Sequence, residues 1–500
     1  MRGVHTRISD LRKGVFVEVA KIAYYSDNIY EDLEAIPYRL SPDENPKFRE
    51  SVYRERAISS ERARLAMGME LRPADKPVHI TSGLKDVDVN EIYYQPPLMQ
   101  VIPSACEACE DNVYKVTNMC RDCLAHACME VCPKDAVSLK DGHAFIDQDK
   151  CIKCGKCKSN CPYDAIAKKM RPCALACGVK AIDNDQYDRA VINQDKCLAC
   201  GMCMVNCPFG AIADKSQIYQ LISCMKGKQD VIAEIAPAYV GQFGKNVSPD
   251  QIYEGLKQLG FAEVYEVALG ADIGAISEMH DYVDNVVNGD LPFLLTSCCT
   301  AWAALAREQF PEIIDSVSKE LTPMVATARS IKMEHPTAKV VFIGPCAAKK
   351  LEAIRTEVRS DVDFVITFEE LDAMFTAKGI VLEELQPHGN LHDATGAGRG
   401  YAVSSGVATA ITKSINTYFP DVEVKTEHVE GLAECKKMLQ LAKAGKYNGY
   451  LIEGMGCPGG CVAGAGTLIP VQNARKEVLN LVKSSSKQVP DKDLYEIELK

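Results

Sequence analysis

Residues 448–461 read NGYLIEGMGCPGGC, a short apolar run ending in a glycine turn that carries Cys457 and Cys461. Apolar stretches of this length, bounded by turn residues, have the pattern of a buried strand. The same order of parts recurs in PFLLTSCC (292–299) and AKVVFIGPC (338–346), and without cysteine in VIAEIAPAYV (231–240) and DFVITF (363–368). Between these runs, AWAALAREQF (301–310), PMVATARSIKM (323–333) and EELDAMFTAKG (369–379) read as helices. Strands alternating with helices predict an α/β domain, two lobes with mainly parallel sheets, over residues 221–500. In such sheets ligands gather beyond the carboxyl ends of strands, where the three cysteine motifs fall.

The chain has 500 residues, more than one hydrophobic core serves. Residues 1–100 hold no cysteine, and FRESVYRERAISSERARLAMGM (48–69) has helical composition. Val15, Val17, Val19, Ile22 and Ala23 fit a short strand or a helix. This region is expected to be a helical accessory layer ending near Pro73 and Pro77, with no chemistry assigned to it. Residues 101–220 hold sixteen of the 23 cysteines and are expected to form an α+β ferredoxin-like iron–sulfur domain. A formal net charge of −11 speaks against nucleic acid as a partner. Lys168, Lys169, Arg171 and Lys180 read either as a basic patch for an acidic electron carrier or as a solvated face.

No stretch reaches the roughly 18–20 apolar residues of a membrane span, and MRGVHTRISDLRKG at the start lacks the apolar core of a signal peptide. Cysteines in this number without an export signal point to metal ligation in a reducing compartment, so a cytoplasmic location is expected.

Two cysteine runs are complete. Cys151, Cys154, Cys157 and Cys161, and again Cys197, Cys200, Cys203 and Cys207, follow the C-x2-C-x2-C-x3-C-P spacing of bacterial ferredoxins. In that spacing three thiolates hold one 4Fe-4S cube and the fourth crosses to the next. The direct expectation groups Cys151, Cys154 and Cys157 with Cys207, and Cys197, Cys200 and Cys203 with Cys161. Zinc is the alternative for a thiolate tetrad. Cys120, Cys123, Cys128 and Cys132 form a stretched run, Cys173 and Cys177 resemble the tail of another, and Cys106 and Cys109 stand upstream. These eight would supply two further cubes of unassigned pairing. His126 reads as a ligand or as a hydrogen-bonding loop residue.

In the C-terminal half Cys299, Cys346, Cys457 and Cys461 could share one more cube, although the vicinal pair Cys298–Cys299 alone also fits two small buried hydrophobes. The segments TSCCTAW (296–302), GPCAAKKLE (344–352) and EGMGCPGGC (453–461), in this order, resemble the signatures of the FeFe-hydrogenase catalytic domain, and the cysteine array upstream resembles that family's accessory clusters. The resemblance covers about residues 225–480. It implies an H-cluster, a 4Fe-4S cube joined through one cysteine to a two-iron unit with CO, cyanide and a bridging dithiolate. Cys299, Cys346, Cys457 and Cys461 match the cube ligands, with Cys461 bridging. Lys349 matches a lysine that hydrogen-bonds cyanide, with Glu352 balancing its charge. Met455 and Ala236–Pro237 match the pocket around the two irons.

For proton delivery Cys298, Glu278, Ser318 and Asp281 match the family's thiol–carboxylate–serine–carboxylate relay, against the plainer reading of Glu278 and Asp281 as a solvated helix face. Departures from the family pattern are Thr300 for proline, Gly344 for methionine, Ala465 within a glycine run, Met324 for glutamine and Ala238 for serine; they resemble a divergent, group B-like branch. The implied activity is reversible reduction of protons to dihydrogen, with a ferredoxin-type carrier for electrons and maturation proteins to install the cofactor. The rival readings are a slow hydrogen or redox sensor and an iron–sulfur assembly protein. Gly396, Gly398 and Gly400 predict a turn before a helix capped near Ser404 or Ser405, and Cys224 and Cys435 read as ordinary buried residues.

Overall fold

The computed structural model describes residues 3–87, 94–389, 391 and 394–496. Its first helix, Arg7–Tyr25, starts where Thr6 and Ser9 cap each other's backbone. Val15, Phe16, Val19, Ile22 and Ala23 recur at helical spacing and are buried, while Val17 lies off that stripe. This helix packs with Ile29–Leu40, Val52–Ala66 and Ile218–Met225. The accessory layer is therefore helical, and its apolar face shares one core with strands of the C-terminal half: Val19 and Leu33 belong to the same cluster as Val231, Ile343 and Phe364. No helix among the described residues is long and apolar enough to cross a membrane.

The cysteine-rich region is built as one small domain inside another. Strand Met99–Val101 pairs antiparallel with Ile212–Asp214, and Ile182–Asn184 with Ala190–Ile192. Inside that frame Val113–Val116 pairs with Ile166–Lys169, and Val137–Lys140 with His143–Ile146. Each frame has the two hairpin-like pairs of a ferredoxin unit. The inner unit leaves the outer one after Cys109 and returns at Arg171, whose guanidinium donates to the Cys109 carbonyl at 2.7 and 2.9 Å. Arg171 is thereby buried, so it does not belong to an exposed basic patch.

The α/β expectation is met by two parallel sheets. One has the order Glu263–Glu266, Val231–Ile235, Lys339–Gly344, Phe364–Thr367; the other Phe293–Leu295, Tyr450–Met455, Lys425–Glu430. All five apolar runs are strands. The two strands missed from sequence, EVYE and KTEHVE, are edge strands with water on part of their surface, so they carry no continuous apolar run. Gly396–Gly400 is a short helix capped by Thr395, not a turn. Ser405 does precede helix Gly406–Tyr418, but its side chain makes no cap; the Glu453 carboxylate accepts from the Ser405 and Ala408 amides instead, each at 2.8 Å.

Candidate metal centre and its electron path

Four strand ends open toward one place. Leu295 leads into Thr296–Cys299, Gly344 into Cys346, Met455 into Cys457, and Ile235 into Ala236–Pro237. The Thr296 amide donates to the Ile452 carbonyl at 3.0 Å, the Ala236 amide to the Ile343 carbonyl at 2.8 Å, and the Gly456 amide to Cys299 Sγ at 3.3 Å. Local sequence explains the close fit: a Cβ on Gly454 would stand 2.0 Å from the Trp302 ring, so glycine is required where the two motifs cross. Trp302 is anchored by its indole N–H on the Thr296 carbonyl at 2.9 Å.

The thiols of Cys299, Cys346 and Cys461 act electrostatically on one another, and Cys457 sits half-buried on the loop between Met455 and Cys461. Burial pushes the Cys346 thiol up to about 11 and raises Cys461 further. Buried thiols gathered in this way are poor free thiolates and become stable once a cation neutralises them. Among the described residues no three Cys, His, Asp or Glu side chains crowd closely enough to hold a single ion. Thiolates of a cube each bind a different iron, so they stand farther apart than ligands of one ion. The donor set fits a cluster. The hydroxyls of Thr296, Tyr401 and Ser404 are also buried here without partners, as a polar cradle would leave them.

Lys349 is buried with its ammonium 2.7 Å from Glu352 and 3.3 Å from the Cys298 carbonyl. Burial opposes both charges, but their mutual attraction outweighs it: the lysine's pKa is raised and the glutamate's lowered. Thr300 and Thr322 donate their hydroxyls to the same carboxylate. The threonine that departs from the family's proline thus completes the shell of Glu352, a role that only the fold makes visible. Met455 and Ala236–Pro237 are buried beside these loops, and Cys298 and Cys299 pack against the cluster that holds Met455.

Of the expected relay, Glu278 and Ser318 are buried and hydrogen-bonded to each other. Burial raises Glu278 to about 8, so it holds its proton at neutral pH. Cys298 is raised by burial and then by the Glu278 carboxyl, the leading charge beside it. Glu278 is no solvated helix face. Asp281 is half-buried, bonded to Asn285 at 2.6 Å, and its charge reaches Glu278. Glu320, absent from the sequence reading, stands at the same end: its amide donates to Ser318 Oγ at 3.3 Å and its carbonyl accepts from Ser297 Oγ at 3.3 Å.

The accessory cysteines group differently from the run-by-run expectation. Cys128 feels Cys161, Cys120 and Cys123, whereas Cys157 feels Cys151 and Cys132. Cys173 and Cys109 both feel Cys207 and Cys106, and these four line one small cavity. Cys203 feels Cys200, Cys197 and Cys177. The physical reason is the nesting. Cys106, Cys109, Cys173 and Cys177 are one ferredoxin run split by the inner unit, so Cys161 crosses to the Cys120 run and Cys207 to the Cys106 set. Four equivalent amides mark the repeat: Ala136, Ala165, Ala181 and Ala211 donate to Cys132, Cys161, Cys177 and Cys207 Sγ at 3.1–3.4 Å. His126 hydrogen-bonds Asp122 at 3.1 Å, as a loop histidine does.

The outer unit touches the loops that carry Cys346 and Cys461. A Cβ on Gly201 would lie 2.5 Å from Ala465 Cβ and 3.4 Å from Ala347 Cβ, and Cys346 acts on the Cys200 thiol. Ala465, the residue that breaks the glycine run, is this contact. Cys435 is fully buried with its thiol on the Met455 carbonyl at 3.5 Å, and Cys224 is half-buried.

Residues 229–465 match the family described as iron only hydrogenase large subunit, C-terminal domain. Residues 144–167 and 189–212 each match a 4Fe-4S binding domain. Iron hydrogenase 1 of Clostridium pasteurianum is 28% identical over 396 residues, 68% of this chain and 68% of that protein. The periplasmic Fe hydrogenase large subunit of Nitratidesulfovibrio vulgaris is 28% identical over 373 residues, covering 64% of this chain and 85% of its own length. Protein NAR1 of Arabidopsis thaliana is 23% identical over 343 residues, covering 54% and 72%.

Proposed function

From the premise that this chain is a divergent FeFe-hydrogenase-like protein, we propose that it interconverts protons and dihydrogen at an H-cluster, exchanging electrons through its 4Fe-4S clusters with a ferredoxin-type carrier. Cys299, Cys346, Cys457 and Cys461 would hold the cofactor, which maturation proteins would complete. When bound, that group supplies the redox centre at which two protons and two electrons become dihydrogen. The chain's own residues do the rest. Lys349 offers a buried ammonium, steadied by Glu352, to an anionic ligand. Ala236, Pro237 and Met455 exclude water.

Protons enter past Asp281, pass through Ser318 to the Glu278 carboxyl, and reach the Cys298 thiol. Burial keeps a proton on both Cys298 and Glu278 at neutral pH, so each has one to pass on. Electrons pass from the outer ferredoxin unit across the Gly201–Ala465 contact.

The observation that carries this reading is the meeting of three mutually interacting thiols and the Lys349–Glu352 pair at the ends of parallel strands. The likeness to a probable cytosolic Fe–S cluster assembly factor of Aedes aegypti, 25% identical over 289 residues, favours a second reading, an iron–sulfur assembly protein. Gas exchange by the matured full chain with excess reductant separates the two. Hydrogen release that falls at least tenfold in Cys298→Ala supports the enzyme; intact clusters with no hydrogen release support the assembly role.

A further inference from the structure

One acid in the catalytic sheet has no partner. Glu234, in the strand Val231–Ile235, is 0% exposed, and neither carboxylate oxygen has a hydrogen bond. Strand alternation decides which way it faces. Val231, Ala233 and Ile235 enter the core shared with the N-terminal helices, whereas Ile232 and Ala236 pack with Met324, Phe342 and Ala347. Glu234 therefore shares the face of Ala236, the residue that opens the cofactor pocket and whose Cβ lies 3.1 Å from a Cβ placed on Gly344. Its cross-strand neighbours are Tyr265 and Phe342.

The two charges that act on it are those of Lys349 and Glu352. Burial raises its pKa well above the carboxylate range, so it stays a neutral acid with an O–H to donate. An apolar residue would suit this sheet face better than an acid with nothing to bond, and a fully buried orphan of this kind calls for a use.

We propose that Glu234 is a second hydrogen-bond donor to the anionic side of the bound cofactor that Lys349 faces. The inference rests on the function proposed above and adds to it a residue that the sequence motifs do not contain. A neutral acid can serve there where a second ammonium could not, because it brings no added charge into a buried site already holding Lys349.

Infrared spectra of the matured full chain test it, comparing Glu234→Leu, which removes the donor, with Glu234→Gln, which keeps an N–H donor of similar length. The expected result is a shift of the cyanide bands in Glu234→Leu that is partly restored in Glu234→Gln, with melting temperatures at or above that of the unsubstituted chain. Cyanide bands unmoved in Glu234→Leu overturn the proposal. Should either variant fail to fold, the unsubstituted chain still decides: its protonated-carboxyl stretch must change on cofactor loading, and an unchanged stretch overturns the proposal. An unsubstituted chain without any metal-bound CO or cyanide bands sinks the functional reading itself and the proposal with it.

Discussion

Thr300 and Glu278 show what single side chains do here that their neighbours in sequence do not announce. The Thr300 hydroxyl, with that of Thr322, satisfies a carboxylate buried with only Lys349 as counter-ion. Thr300→Val is expected to lower stability by about 1.5–3 kcal/mol, the worth of one hydrogen bond to a charged group, and a denaturant titration checks it. Glu278 makes a prediction in pH. Its folded pKa of about 8 lies above the unfolded value, so the native state binds the extra proton between the two. Stability from this group is full below the unfolded pKa, declines as pH rises through the window, and levels off above about 8. The proposed relay would lose the proton held on Glu278 over the upper part of the same range. Turnover limited by proton supply should fall as pH passes 8, and Glu278→Gln should abolish that limb along with most activity. A limb unchanged in the variant would assign it to another group. Glu278, Ser318 and Cys298 stood out only through the family resemblance; Glu320, Thr322 and Glu234 carried no such signal, because a buried side chain's partner is set by packing between distant strands.

At the level of elements, the strand ends that carry cysteine were readable from apolar runs broken by glycine, proline and cysteine. The edge strands Glu263–Glu266 and Lys425–Glu430 were not, since partial solvation mixes charges into them. The accessory clusters were readable as cysteine runs but misread in pairing. Each complete run resembles half of a tandem unit, and nothing local in Cys106–Cys109 signals that its continuation lies at Cys173. The nesting yields a clean test. Replacing residues 112–170 with a short linker should leave the outer unit folded, because Arg171 already holds the Cys109 carbonyl. The shortened chain should lose about eight irons, two cubes' worth, and keep the cluster signals of the outer unit. Loss of all accessory signals would contradict the nested arrangement.

Across the whole molecule, a buried ion network ties the three regions together. Lys350 is fully buried and bonds Asp214 of the outer ferredoxin unit at 2.8 Å and Glu370 of the catalytic domain at 3.1 Å, while Arg12 of the N-terminal helix pairs with Glu369. Lys350→Met would strand two buried carboxylates and is expected to cost about 3–5 kcal/mol, read as a fall in melting temperature. The outer unit also meets the loops of the C-terminal domain at Gly201, which lies close to Ala465 and Ala347. The central claim is that thiols from separate strand ends hold one cofactor with two irons beside it. Infrared absorption of the full chain after maturation tests it most directly. Metal-bound CO and cyanide bands are predicted in the unsubstituted chain and absent in Cys461→Ala, and a matured chain that retains its accessory clusters yet has no such bands would contradict it.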